Sequence, residues 1–112
     1  MVYQRKLNRT FAALADPTRR SILSMLAERE QTIGELAGRF TMSLPAVSKH
    51  VRVLERAGLA RIRREGRVRR CALRPEPMRE AAAWIAAYRQ YWEASFDRLA
   101  DYLERSLGEE AG

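Results

Sequence analysis

Two capped helices separated by a short break, followed by a change of hydrophobic period, constrain this chain more than anything else in it. The stretch is "TIGELAGRFTMSLPAVSKHVRVLERAGL", Thr32 to Leu59. Thr32 followed by Glu35 is a capping-box pattern, so a helix starts there. Ile33, Leu36, Ala37 and Phe40 give it an apolar face, and "TMS" breaks it. Ser43 then caps a longer helix with Pro45 inside its first turn, where a missing amide costs nothing. Leu44, Val47, Val51 and Leu54 recur at about 100° per residue, and Gly58 is the expected stop. A short helix, a turn and a longer capped helix make a helix–turn–helix.

The flanks are read the same way. Leu7, Phe11 and Leu14 predict a first helix from about Asn8 to Ala15. Asp16 caps a second helix that carries Pro17 at its first position, sets Ile22, Leu23, Met25 and Leu26 on one apolar face, and ends near Glu28. After Gly58 the period changes to two. Ala60 and Ile62 alternate with Arg61 and Arg63, and a second run holds Val68 and Leu73, predicting a β-hairpin with Glu65–Gly66 at its tip. Pro75 and Pro77 end it. From Met78 to about Leu107 there is neither proline nor glycine, and Met78, Ala81, Ile85, Tyr88, Trp92, Leu99 and Leu103 follow three-and-four spacing. One long helix is expected there, with more apolar surface than a domain of 112 residues can cover. The fold expected is mainly α with a small β-hairpin wing: about five helices, with 8–77 as the core and 78–107 as the long C-terminal helix of one domain.

Charge points to a partner. The net charge is +7, but residues 1–77 hold 17 Lys/Arg against 7 acids, while 78–112 hold 4 against 7. A basic body with a mildly acidic tail has two surfaces of different character. On a wheel of the fourth helix, Pro45, Ser48, Lys49, Arg52 and Arg56 lie opposite Val47, Val51 and Leu54, with no acid among them. Hydroxyl, amine and guanidinium groups on one helix face suit base edges and phosphates in a major groove. Between Arg61 and Arg70 six arginines crowd the hairpin with one glutamate, a repulsion that phosphates would remove. Ser43, Pro45, Ser48, Lys49, His50 and Arg52 are the candidates for major-groove contact. Arg63, Arg64, Arg67 and Arg69 are the candidates for backbone or minor-groove contact from the hairpin.

Other classes are disfavoured. No apolar run approaches the roughly 20 residues that span a bilayer, and the N-terminal apolar patch is too brief for a signal peptide, so a cytoplasmic protein without membrane contact is expected. Ser48 and His50 are two apart on a helix and do not face each other, and no acid orients the imidazole. With no glycine-rich phosphate loop either, neither catalysis nor a cofactor is expected. The single cysteine, Cys71, admits two readings: a redox-sensitive thiol in the hairpin, its pKa lowered by Arg69 and Arg70 if exposed, or a small residue packed near Leu73. A basic surface also fits a different class, a protein-interaction module docking an acidic protein.

The residues also carry a resemblance. "LADPTRRSIL" and "SLPAVSKHVRVLERAGL", set within Phe11–Met78, resemble the ArsR/SmtB family of winged helix–turn–helix repressors, and the trailing "REAAAWIAAYRQYWEASFDRLADYLE" resembles its SdpR-like, non-metal subgroup. The resemblance implies a sequence-specific repressor of double-stranded DNA. It implies a homodimer whose first and last helices pair, two recognition helices set for an inverted repeat, and release by a small-molecule or protein inducer. Phe11, Ile85, Tyr88, Trp92 and Leu99 are the candidate interface residues, although some of these aromatics can equally pack within their own chain. Metal-sensing members carry Cys-Val-Cys before the recognition helix; here Thr32 and Gly34 stand where the thiols would be. A second family site uses ligands on the last helix that include His, and that helix has none. One Cys and one His fall short of the three or four ligands that zinc or a soft metal requires, so no metal is expected.

Overall fold

The computed structural model describes residues 2–111, with side chains described for 4–108. In chain order the elements are α1 (Val2–Leu14), α2 (Pro17–Glu28), β1 (Gln31–Thr32), α3 (Ile33–Ala37), α4 (Leu44–Arg56), β2 (Ala60–Glu65), β3 (Val68–Leu73), α5 (Glu76–Ala86) and α6 (Arg89–Ala111). The architecture is a winged helix–turn–helix with a long C-terminal helix. By packing, the described residues form two compact units, one up to Ala81 and one from Ala82 onward.

In the first unit the local signals act as the sequence implies. The Asp16 carboxylate accepts from the amides of Thr18 (2.8 Å) and Arg19 (3.2 Å) at the start of α2. Thr32 and Glu35 form a reciprocal capping box on α3, and Ser43 Oγ accepts from the Ala46 amide on α4. These bonds satisfy amides that no helical carbonyl can reach. Helix α4 ends in a Schellman motif: the Leu59 amide donates to the Leu54 carbonyl and the Gly58 amide to Glu55, both at 2.9 Å. Gly58 supplies the left-handed residue that this needs, with φ of +77°.

Ile22, Leu36, Val47, Val51, Leu54, Leu59 and Cys71 are fully buried in one cluster drawn from α2, α3, α4, the connection after α4 and β3. Burying each of the larger side chains contributes about 1.5–3 kcal/mol before entropy is counted. Met78 packs against this cluster.

Four details differ from the sequence reading. Helix α1 begins at Val2, well before Asn8. Leu44, expected in the apolar stripe of α4, is 48% exposed, because at the first helical position it lies beyond the reach of the core. The hairpin tip is Gly66–Arg67 rather than Glu65–Gly66, since Glu65 pairs with Val68. Gly66 has φ of +63° and, among the described residues, no non-glycine residue has positive φ, the pattern of a type II′ turn with glycine first. A third strand, β1, pairs antiparallel with β3 (Gln31 with Cys71, Thr32 with Arg70), giving the order β1–β3–β2. Gln31 is buried, and its Nε2 donates to the Met25 carbonyl near the end of α2 at 2.7 Å.

The second unit departs from the expected single helix. The turn at Ala87–Tyr88 separates α5 from α6, giving six helices among the described residues. There the Tyr88 amide donates to the Ile85 carbonyl at 3.0 Å, three residues back rather than four. Neither proline nor glycine lies at this turn. Aromatic side chains gather at the turn instead, Trp84 and Tyr88 with ring centres 5.1 Å apart and Tyr88 and Tyr91 at 6.1 Å. No helix among the described residues is long and apolar enough to cross a membrane.

Candidate nucleic-acid interface

The exposed face of α4 forms one wall of an open groove of about 510 Å³, lined by Leu44, Pro45, Ser48, Lys49, Arg52, Val53 and Arg56, with Arg69 reaching in from β3. Four of these eight side chains are cationic and none is acidic. Lys49, Arg52 and Arg56 are exposed and have no ion pair among the described residues. They follow from the wheel: the same 100° step that buries Val47, Val51 and Leu54 turns these three outward.

Ser48 is not where a base-reading hydroxyl would stand. It is 7% exposed, and its Oγ accepts from Arg69 Nη1 at 3.0 Å. That bond ties β3 to α4 and holds the Arg69 guanidinium at the groove. Ser43 and Pro45 are exposed at the N-terminal end of α4, with Ser43 Oγ committed to the cap. His50 is partly buried on the other flank of the helix, where Arg19 Nη1 donates to its Nδ1 at 3.4 Å.

The hairpin arginines divide into three kinds. Arg63 pairs with Glu30 at 2.9 Å and lies 3.8 Å from Glu65, while Arg70, directly across from Arg63, pairs with Glu65 at 3.3 Å. Two carboxylates thus relieve the repulsion of that cross-strand cationic pair. Arg69 is held by Ser48. Arg64 and Arg67 are exposed and form no ion pair among the described residues, so they keep their full charge for an anionic partner. The sequence reading grouped Arg63 with these two. Glu30, which separates them, lies 33 residues away in the chain.

The segment "LADPTRR" also acquires a role that periodicity does not show. Arg19 Nε and Nη2 donate to the carbonyls of Ala13 (2.8 Å) and Ala12 (3.0 Å), and Arg20 Nη1 donates to Leu14 (2.7 Å). Two guanidinium groups thereby close the C-terminus of α1, where carbonyls lack helical donors and the macrodipole is negative. Hydrogen bonds from the Arg19 and Thr18 amides, helped by the nearby Arg19 charge, hold the Asp16 carboxyl below its ordinary value.

Cys71 packs as an apolar residue. It is fully buried opposite Ile62 in the sheet, and burial pushes its thiol up to about 11, against a smaller opposing effect of Arg69. Among the described residues no three His, Cys, Asp or Glu side chains come together in a way that would hold a metal ion.

Comparison with known proteins agrees with this geometry. A helix-turn-helix domain family matches residues 14–63. The chain is 44% identical over 100 residues to the HTH-type transcriptional regulator Rv2034 of Mycobacterium tuberculosis, covering 89% of this chain and 91% of that one. It is 32% identical to the transcriptional repressor SdpR of Bacillus subtilis, over 70% of this chain and 88% of that one. The crystal structure of the ArsR family transcriptional regulator RHA00566 superposes with a TM-score of 0.75 at 44% identity, over 80% of this chain and 93% of that one. This chain belongs to the ArsR family.

It is accordingly a DNA-binding transcription regulator and not an enzyme. A further relative in structure is the homodimeric winged helix-turn-helix domain of Mb0332 from Mycobacterium bovis, with a TM-score of 0.63 at 28% identity, over 75% of this chain and 80% of that one. In this ArsR-family chain the matched residues 14–63 run from the end of α1 into β2 and contain the whole exposed face of α4.

Proposed function

We propose that this regulator is a cytoplasmic homodimeric repressor that sets α4 of each protomer into the major groove of an inverted-repeat operator. The observation that carries the reading is the acid-free groove along α4, with Lys49, Arg52 and Arg56 unpaired and Arg69 held at its side. Lys49 and Arg52 read base edges, and Ser43 and Pro45 shape the approach of the helix N-terminus. Arg64 and Arg67 at the hairpin tip reach phosphate or a flanking minor groove, Ser48 serves by holding Arg69, and Arg63 takes a lesser part because Glu30 already neutralises it. Repression is supported by the likeness to SdpR, and dimerisation by the homodimeric Mb0332 and the exposed apolar face of α6. Ile85, Tyr88, Trp92 and Leu99, with Phe11 of α1, form the interface in this reading. No metal is assigned as the signal, since the lone thiol is buried and the lone imidazole is engaged by Arg19.

The test is DNA binding by the full chain after selection of its sites from genomic DNA. Lys49→Ala and Arg52→Ala should each cost about 1–3 kcal/mol on operator DNA and less on random DNA. Arg67→Ala should weaken both alike. Affinity should fall steeply between low and moderate salt, as counterions released by several phosphate contacts require. An affinity that barely responds to salt would sink the reading.

A further inference from the structure

Arg19 engages all three of its guanidinium nitrogens. Its Nε and Nη2 hold the Ala13 and Ala12 carbonyls at the end of α1, and its Nη1 stands 3.4 Å from His50 Nδ1 on α4. A guanidinium has only donors, so a hydrogen bond here uses the Nδ1 lone pair, which the Nε2–H tautomer of the ring offers. Helix α4 is thus gripped by a guanidinium on each flank: Arg69 of β3 on Ser48, and Arg19 of α2 on His50. Lys49 and Arg52 project between these flanks.

We infer that His50 is a positioning residue, whose Nδ1 fastens the recognition helix through Arg19 to the last turn of α1, rather than a group that touches DNA. The inference rests on the DNA-reading role proposed for α4. Two lateral bonds resist rolling of α4 about its axis, adding to the packing of Val47, Val51 and Leu54 on its inner face. A side-chain tip about 5–6 Å from a helix axis moves about 2 Å for a roll of about 20°. That displacement takes a donor on Lys49 or Arg52 out of hydrogen-bond range of a base edge, while a phosphate contact survives it. Loss of the Arg19–His50 bond therefore lowers discrimination between operator and random DNA more than it lowers affinity for random DNA.

The test exchanges His50 for the two amides that mimic one ring nitrogen each. In His50→Asn, the side-chain oxygen occupies the place of Nδ1; in His50→Gln, the amide reaches the place of Nε2. We expect His50→Asn to keep the operator-to-random ratio, and His50→Gln and Arg19→Lys to lower it on the order of fivefold to tenfold, in variants that melt cooperatively. The reverse pattern, with Gln retaining the ratio and Asn losing it, would show His50 contacting DNA through Nε2. Equal loss or equal retention in Asn and Gln would also overturn the proposal. A second readout needs no DNA: ¹⁵N shifts of the His50 ring in the free, full-length protein should report the Nε2–H tautomer at neutral pH. An Nδ1–H tautomer would overturn the inference even if DNA reading stands. A wild-type chain that fails to discriminate operator from random DNA, yet shows the Nε2–H tautomer, would count against the DNA reading and leave the Arg19–His50 fastening intact.

Discussion

The unit up to Ala81 and the unit from Ala82 onward solve the hydrophobic problem in opposite ways. In the first, the large side chains Ile22, Leu36, Leu54 and Leu59 are fully buried, and α2, α3 and α4 each begin on a side-chain cap. In the second, Trp92, Phe96, Leu99, Tyr102, Leu103 and Leu107 are all at least half exposed, and α6 has no acid in its first turn and no base in its last. The first unit is therefore stabilised by its own chain. The second is the end of α5 and the whole of α6, whose large apolar side chains are exposed, and most helical stability comes from packing rather than from propensity. Exposed apolar side chains on one helix are what the dimer interface proposed above would cover.

The largest expected effect tests the self-sufficient half. Leu54→Ala should destabilise the fold by about 2–5 kcal/mol in denaturant titration, because a buried leucine leaves a cavity that α2 and α4 cannot close. A cost below about 1 kcal/mol would mean that the core is less tightly packed than its burial implies. The next effect tests the other half. Trp92→Glu combined with Leu99→Glu should yield a monomer by analytical ultracentrifugation, with the helical signal of the first unit retained and operator binding weakened. If the face stays in water, both substitutions should be nearly neutral, within about 0.5 kcal/mol each, and the assembly state should not change.

The smallest effect concerns the caps. Asp16 and Glu35 are both held below their ordinary values, Asp16 chiefly by the Arg19 amide and Glu35 chiefly by its bonds with Thr32. Because the folded values are lowered, their contribution is complete above the ordinary values of 3.8 and 4.5 and is lost as pH falls through the lower, folded ones. Tm should therefore drop on acidification below about pH 4.5, and Asp16→Asn with Glu35→Gln should flatten that drop while keeping the caps. An unchanged acid profile in the double variant would assign the acid sensitivity to other carboxylates.

Much of the DNA-facing half was legible because its signals are local. Asp16, Thr32, Ser43 and Gly58 act within four residues of themselves, so caps and stops could be read one helix at a time. Lys49, Arg52 and Arg56 were legible because helical periodicity alone turns them away from Val47, Val51 and Leu54. The partners of the arginines were not. Glu30 on Arg63, Ser48 on Arg69 and His50 on Arg19 join residues 33, 21 and 31 positions apart, and nothing local encodes those meetings. Strand β1 was missed for the same reason, since two residues have no period and their partners on β3 lie far along the chain. The turn at Tyr88 was missed because good helix formers surround it and only the packing of rings marks it.

The sequence by itself determined the starts of α2, α3 and α4 and the stop of α4, the change from helical to strand period after Gly58, and the acid-free face of α4, because each follows from backbone geometry over a few residues. It also showed an aromatic C-terminal segment too apolar for its size. Only the tertiary structure decided which cations are free and which are spent, because a guanidinium loses its availability to whatever acceptor folding brings within reach. Arg64 and Arg67 remain unpaired, Arg63 is taken by Glu30, and Arg69 and Arg19 hold the two flanks of the helix between them.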